Sequence, residues 1–292
     1  MAGETAGAEQ VDHARLVVSG DDRAGIVAAV SGLITELGGN IVALHQASSD
    51  RSGGRFFQRT VFYLPELARR RDEVADAIER RIVGGLGMQA RLVDAGERKR
   101  VAIFASKSDH CLLDLLWRQR RGEIEMTVPL VISNHPDLGD DVRGFGIPFV
   151  HVPVGGDKAA AEAEHLRLLD GQVDLVVLAR YMQILSGDFL ERVGVPVINI
   201  HHSFLPAFVG ANPYQRAKER GVKLIGATAH YVTEDLDEGP IIEQDVVRAS
   251  HEDTVADLRR KGAGVERSVL SRAVTWHCQD RVFRDGNSTV VL

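Results

Sequence analysis

The side chains best suited to chemistry lie between residues 195 and 245. Val195–Ile200 is a short apolar, β-branched run of the kind expected of a buried parallel strand, and it leads through Asn199 and Ile200 into His201 and His202. A second apolar run, Gly226–Val232, carries His230 and is followed by Glu234, Asp235, Asp237 and Glu238. Ligands in open α/β sheets bind outside the carboxyl ends of strands, so two such ends bring Asn199, His201 and Asp237 toward one cleft. An amide NH2 and a ring N–H are donors for charge that develops on an oxygen, worth ~3–4 kcal/mol each when preorganised. A carboxylate beside them orients a nucleophile or assists proton transfer. His230 reads either as a satisfied core histidine or as support for the acid, and His202 reads as solvent-facing.

These residues need a sheet to hold them, and the C-terminal two thirds of the chain provides one. Apolar strand candidates at Val101–Ala105, Pro129–Ser133, Pro148–Val152 and Leu175–Leu178 alternate with helix candidates at His110–Arg121, Lys158–Asp170 and Gly187–Val193. Ser108 or Asp109 is placed to cap the first of these helices. That alternation predicts right-handed βαβ units and a Rossmann-like open, mainly parallel sheet. Ser203–Pro213, with two prolines and a glycine, is expected to be an ordered loop.

Upstream, strands at Ala14–Ser19, Ile41–Ser48, Arg55–Leu64 and Met88–Val93, with helices at Ile26–Leu37 and from Pro65 to about Val83, spell βαββαβ, the ferredoxin-like order. Asp94–Arg100 is short and polar. The expected organisation is a disordered leader over 1–11, a first domain over 12–94, a linker over 95–100 and a second domain over 101–292.

Composition narrows the function. The chain has 292 residues, 44% hydrophobic and 26% charged, with a net charge of −6, and this speaks against nucleic acid as a partner. No run has transmembrane length and the start lacks a signal-peptide pattern, so a cytoplasmic protein without membrane contact is expected. Cys111 and Cys278 show no metal-ligand spacing, and no metal is expected. The first turn of the second domain, Ser106–Cys111, contains no glycine, which disfavours a dinucleotide cofactor; P-loop, serine-hydrolase and zincin motifs are also absent.

Asn199-x-His201-x-Ser203-x-Leu205-Pro206, followed by His230 and by Asp237-x-Gly239-Pro240-Ile241-Ile242, resembles the formyltransferase family. That family includes glycinamide ribonucleotide transformylase and methionyl-tRNA formyltransferase. The resemblance implies 10-formyltetrahydrofolate as substrate and no covalent cofactor, with Asn199, His201 and Asp237 acting on the formyl carbon. Ala179–Ser186 is similar to the family's folate-cleft loop, which implies folate contacts from Tyr181, Met182, Gln183, Ile184 and Leu185, with Glu234 a further candidate. Gln183 stands where transformylases often have Arg.

Asp22-x-x-Gly25-Ile26 and Gly39-Asn40-Ile41 resemble an ACT domain, an amino-acid-sensing module. This implies a homo-oligomer, dimer or tetramer, with Asp22, Gly25 and Asn40 near an effector such as glycine or methionine. The pairing of the two domains is similar to the family's deformylating branch, with water as acceptor and formate and tetrahydrofolate as products. Transfer to an amine acceptor, or a non-catalytic folate or amino-acid sensor, are the competing readings.

Overall fold

A computed structural model describes residues 12–206 and 213–292. The expected leader over 1–11 and the middle of the expected 203–213 loop lie outside these residues. Packing divides the chain into two units. One runs to Glu97 and includes Asp280–Asp285 and Val290–Leu292; the other comprises Arg98–Gln279 with Gly286–Thr289.

The first unit follows the order expected: β1 (His13–Asp21), α1 (Ile26–Glu36), β2 (Asn40–Ser48), β3 (Arg55–Tyr63), α2 (Leu67–Ile78) and β4 (Gln89–Asp94). Its antiparallel sheet has the order β2-β3-β1-β4. The apolar spacing of α1 buries Ile26, Val30, Leu33 and Ile34 against Leu16, Val18, Phe56 and Phe62 of the sheet. Gly25 starts that helix at φ 93°, where a side chain would be strained. The sequence assigns all of 101–292 to the second domain, and the structure differs at the end of the chain. Asp280 is buried beside Arg15 at 3.2 Å, and Phe283 meets Phe57 with ring centroids 5.5 Å apart. A buried charge needs its partner, so this pair ties the closing residues to β1.

The second unit begins with β5 (Lys99–Ala105), α3 (His110–Arg120), β6 (Met126–Thr127), β7 (Val131–Ser133), α4 (Gly139–Gly144) and β8 (Phe149–His151). It continues through α5 (Lys158–Leu169), β9 (Leu175–Ala179), α6 (Gly187–Val193), β10 (Val197–His201), α7 (Pro213–Arg220), β11 (Leu224–Tyr231), β12 (Ile241–Arg248) and α8 (Val255–Cys278). The sheet has the order β12-β11-β10-β9-β5-β7-β8. Strands β8 to β10 along this path are parallel, whereas β11 is antiparallel to both β10 and β12. The chain winds outward from β5 in one direction and then, from β9, in the other. The switch point therefore lies between Ala105 and Ala179, where ligand clefts form in such sheets.

β12 and α8 were not expected from the pattern. β12 interrupts its apolar residues with Glu243, Gln244 and Asp245, and α8 dilutes its own with Gly262, Gly264, Ser268 and Ser271. A capping box between Thr254 and Asp257 starts α8. Asp109 occupies the cap position of α3 without a side-chain capping bond. Among the described residues no helix is long and apolar enough to cross a membrane. Cys111 and Cys278 are buried free thiols, and burial pushes the Cys111 thiol up.

One buried polar residue of the second unit sits among aromatic rings. His165 on α5 is 1% exposed, and neither ring nitrogen has a hydrogen-bond partner among the described residues. It packs among Phe104, Tyr181 and Phe189. Burial lowers its pKa from 6.5 to about 4, against the weaker pull of Glu162 and Glu164. The unfolded chain therefore binds more protons between these values, and stability rises with pH across that window. This group alone should cost about 2 kcal/mol on going from about pH 7 to about pH 5. Urea midpoints measured at both pH values for wild type and His165→Leu check this: the substitution should remove that part of the acid sensitivity.

Candidate active site

β10 delivers Asn199 and His201 as the carboxyl-end rule requires. Residues Ile198, Asn199 and Ile200 of β10 pair with Tyr231, His230 and Ala229 of β11. His230, the last residue but one of β11, therefore lies directly across from Asn199. Its Nδ1–H donates to the Tyr231 carbonyl oxygen at 2.9 Å, which leaves Nε2 to accept from Asn199 Nδ2 at 3.3 Å. One amide hydrogen of Asn199 is thus spent on His230, and the rotamer of the amide is set with the other free. Burial lowers the His230 pKa more than the Tyr231 carbonyl and Asp237 raise it. The ring stays a neutral acceptor.

Asp237 arrives differently from the sequence expectation. Because β11 is antiparallel to β10, its carboxyl end lies beside the start of β10, with Val232 N–H donating to the Val197 carbonyl oxygen. The 232–240 loop must fold back over the strand pair, and it does so with Asp237 at φ 60°. Gly239 permits the closure, since a Cβ there would stand 1.8 Å from the Tyr231 carbonyl oxygen. Asp237 Oδ1 then lies 3.2 Å from His201 Nδ1 and 3.7 Å from His230 Nε2. Burial works against the Asp237 charge, but the His201 hydrogen bond and the neighbouring imidazoles outweigh it and hold the carboxyl below its usual range. With Nδ1 turned to Asp237, His201 Nε2 is left buried and without a hydrogen-bond partner among the described residues.

The three residues open onto a cleft of about 870 Å³, lined also by Tyr181, Met182, Gln183, Ile184, Leu185 and Glu234. Every cleft residue expected from the sequence is thus brought together. Tyr181 is a buried anchor, edge-on to Phe104, whereas Met182 and Ile184 are 57% and 61% exposed as an apolar lip. The loop that carries them is fixed at both ends. Ser106 Oγ accepts from Met182 N–H at 3.0 Å and donates to Asn134 Oδ1 at 2.6 Å. Glu162 accepts from the Ser186 N–H at 2.9 Å and from its hydroxyl at 2.5 Å. Glu234 is exposed at the rim, with its carboxylate over Gly187.

His202 is not solvent-facing. It lines the cleft, stacks on His201 with centroids 5.2 Å apart and leans on Tyr214 at 6.2 Å. Burial, with the nearby charges of Arg180 and His201, lowers its pKa to about 4. Sequence reasoning also missed a charged cluster beyond it. Glu266 of α8 accepts from Tyr214 Oη at 2.6 Å, meets His110 Nε2 at 2.8 Å and pairs with Arg180 Nε at 3.5 Å. Gly262 makes room for Tyr214, whose hydroxyl would lie 1.9 Å from a Cβ at that position. Burial opposes the Glu266 charge, yet His110, Arg180 and Tyr214 together bring its pKa down to about 2. No local spacing links these residues, which come from four separate elements or loops. His110, Cys111 and Glu266 are also close enough to hold a cation, but the Arg180 guanidinium beside Glu266 opposes one.

In the first unit, Asp22 and Gly25 sit in the β1–α1 turn and Asn40 opens β2, exposed. The Asp22 N–H donates to the Gly54 carbonyl oxygen at 2.8 Å. Among the described residues no hydrogen bond joins the Asp22 and Asn40 side chains.

Comparison with known proteins gives two family models, one within each unit: an ACT domain over residues 14–81 and a formyl transferase over residues 99–274. Formyltetrahydrofolate deformylase of Mycobacterium tuberculosis is 60% identical over 282 residues, covering 96% of this chain and 91% of that protein. The crystal structure of a formyltetrahydrofolate deformylase from Pseudomonas syringae pv. tomato superposes with a TM-score of 0.90 at 45% identity, covering 100% of both chains. Glycinamide ribonucleotide transformylase 1 from Symbiobacterium toebii matches with a TM-score of 0.63 at 34% identity, over 67% of this chain and 94% of that one. An ACT domain followed by a formyl transferase domain, with this identity along nearly the whole length, means that the chain belongs to the formyltetrahydrofolate deformylase family.

Proposed function

We propose that this chain hydrolyses 10-formyltetrahydrofolate to formate and tetrahydrofolate, with Asn199, His201 and Asp237 as its catalytic residues. The observation that carries the reading is the 3.2 Å contact of Asp237 with His201 Nδ1, which leaves Nε2 buried and unpartnered among the described residues, in a cleft that Asn199 also lines. A formamide carbon attacked by water becomes tetrahedral and its oxygen gains negative charge. The free amide hydrogen of Asn199 donates to that oxygen. His201 Nε2 takes a proton from the attacking water, and the Asp237 carboxylate stabilises the imidazolium formed. As the carbon–nitrogen bond breaks, the same proton passes to the folate nitrogen. Formic acid then loses its remaining acidic proton to solvent.

The loop over Tyr181–Leu185 receives the pterin by apolar and backbone contact, with Glu234 at its rim. Ser106, the first residue after β5, supports a water-using reaction. Its hydroxyl is engaged with Met182 and Asn134, and the turn it opens has no glycine to cradle a phosphorylated acceptor. We assign residues 12–94, within the first unit, a regulatory role as a sensor of glycine or methionine in a cytoplasmic homo-oligomer. Asp22, Gly25 and Asn40 would stand at the effector.

Formate release from 10-formyltetrahydrofolate without any added amine tests the reaction. Asp237→Ala should slow it by about 10²-fold or more, and Asn199→Ala by about 10²- to 10³-fold. Consumption of the folate only in the presence of an amine would overturn the hydrolytic reading, and unimpaired hydrolysis in Asp237→Ala would overturn the residue roles. Calorimetric titration with glycine and with methionine addresses the first unit. One of the two should bind the wild type and bind Asn40→Ala at least about tenfold more weakly, a loss of roughly 1.4 kcal/mol.

A further inference from the structure

Hydrolysis leaves a question of selectivity. An amine is a better nucleophile than water, so a cleft that activates a formyl group has to favour water over the amines around it. The mechanism uses none of the charged cluster at Arg180 and Glu266, and that cluster lines the same cleft. We infer that Arg180, held by Glu266, is the specificity-determining residue that bars amine nucleophiles and admits water. This rests on the hydrolytic reading above.

Arg180 is the first residue after β9 and stands at φ 62°, a region that disfavours every side chain except the glycine hydrogen and, to a lesser degree, Asn and Asp. Strain of this kind persists where the surroundings impose it, and it clusters at functional sites. Here it sets the backbone just before the folate loop while the guanidinium reaches Glu266 on α8 at 3.5 Å. The Arg180 side chain is 15% exposed and that of Glu266 2%. Glu266 is fixed in turn by Tyr214 and His110, and it is ionised at any working pH. The contacts run without a break from the reacting centre: His201 stacks on His202, His202 leans on Tyr214, and Tyr214 binds the carboxylate that pairs with Arg180.

The chemistry of a guanidinium suits this task. It is always charged, offers only donors and has no lone pair for an amine hydrogen. Near neutral pH most alkyl amines are ammonium ions, which a fixed positive charge repels. Water carries no charge and is not repelled. Two nitrogens of Arg180, Nε and Nη1, are buried and have no hydrogen-bond partner among the described residues, with Nε facing the Glu266 carboxylate at 3.5 Å. A single side chain therefore supplies the repulsive element of a specificity filter.

The test is a partition experiment on the full-length protein with 10-formyltetrahydrofolate and glycinamide, with formate and N-formylglycinamide quantified by mass spectrometry. Arg180→Gly and Arg180→Asn both suit the positive φ, so both should fold. The wild type should yield formate alone. Each variant should raise the ratio of N-formylglycinamide to formate by at least about tenfold, equivalent to about 1.4 kcal/mol of selectivity. Arg180→Lys, which keeps the charge, should stay nearer the wild-type ratio. A wild-type ratio in both the Gly and Asn variants, or loss of formate release with no gain in transfer, would overturn the inference. Failure of the hydrolytic reading itself would be seen separately, as absence of formate from the wild type without glycinamide.

Discussion

The cleft depends on the contact between Asp237 and His201. Asn199 and His201 are placed by a strand, and any parallel strand end would do as much. Asp237 comes from a loop that has to turn back across an antiparallel strand, through a left-handed residue and a glycine pressed against the Tyr231 carbonyl. Burying a carboxylate is costly, and the hydrogen bond with His201 offsets the cost here. The contact thus joins the loop conformation, the His201 tautomer and the charge of the site, and a loop that failed to close would lose all three together.

The second charged group, Arg180 with Glu266, has a different character. A buried ion pair gives little net stability, because desolvation takes back most of what attraction supplies. Glu266 is nevertheless well satisfied, with Tyr214 and His110 on its oxygens, whereas Arg180 has two nitrogens without hydrogen-bond partners among the described residues. That asymmetry separates an anchor from the group it holds. Glu266 behaves as part of the frame, and Arg180 is the charge it holds at the wall of the cleft.

Much of the fold was legible because local and global signals agreed. In the first unit, glycines at Gly25 and Gly39 punctuate an apolar pattern that changes period from strand to helix, so the βαββαβ order follows from spacing. Asn199 and His201 were legible for a similar reason: they lie almost side by side at the end of one apolar run. Asp237 was found as a member of a sequence pattern, while the antiparallel direction of β11 was not. An eight-residue apolar strand reads the same in either direction, and only its pairing decides. β12 was hidden by polar residues on a strand at the sheet edge, and α8 by glycines and serines within its apolar stripe. The Arg180–Glu266 pair could not be read at all, because its partners come from distant segments and either residue alone looks like a solvated charge.

Ser106 shows how one position in a shared architecture is put to another use. At the switch point of an open α/β sheet, the turn after the first strand often presents glycine amides to a phosphate. Here a hydroxyl stands there instead, and it joins Asn134 to the Met182 backbone. The far end of the same loop is fixed by Glu162 through Ser186. A segment with an exposed apolar lip would otherwise lose considerable entropy on each binding event. Its two buried ties remove that loss in advance, so a turn that could hold an acceptor's phosphate instead holds the loop that shares a cleft with Asn199 and His201.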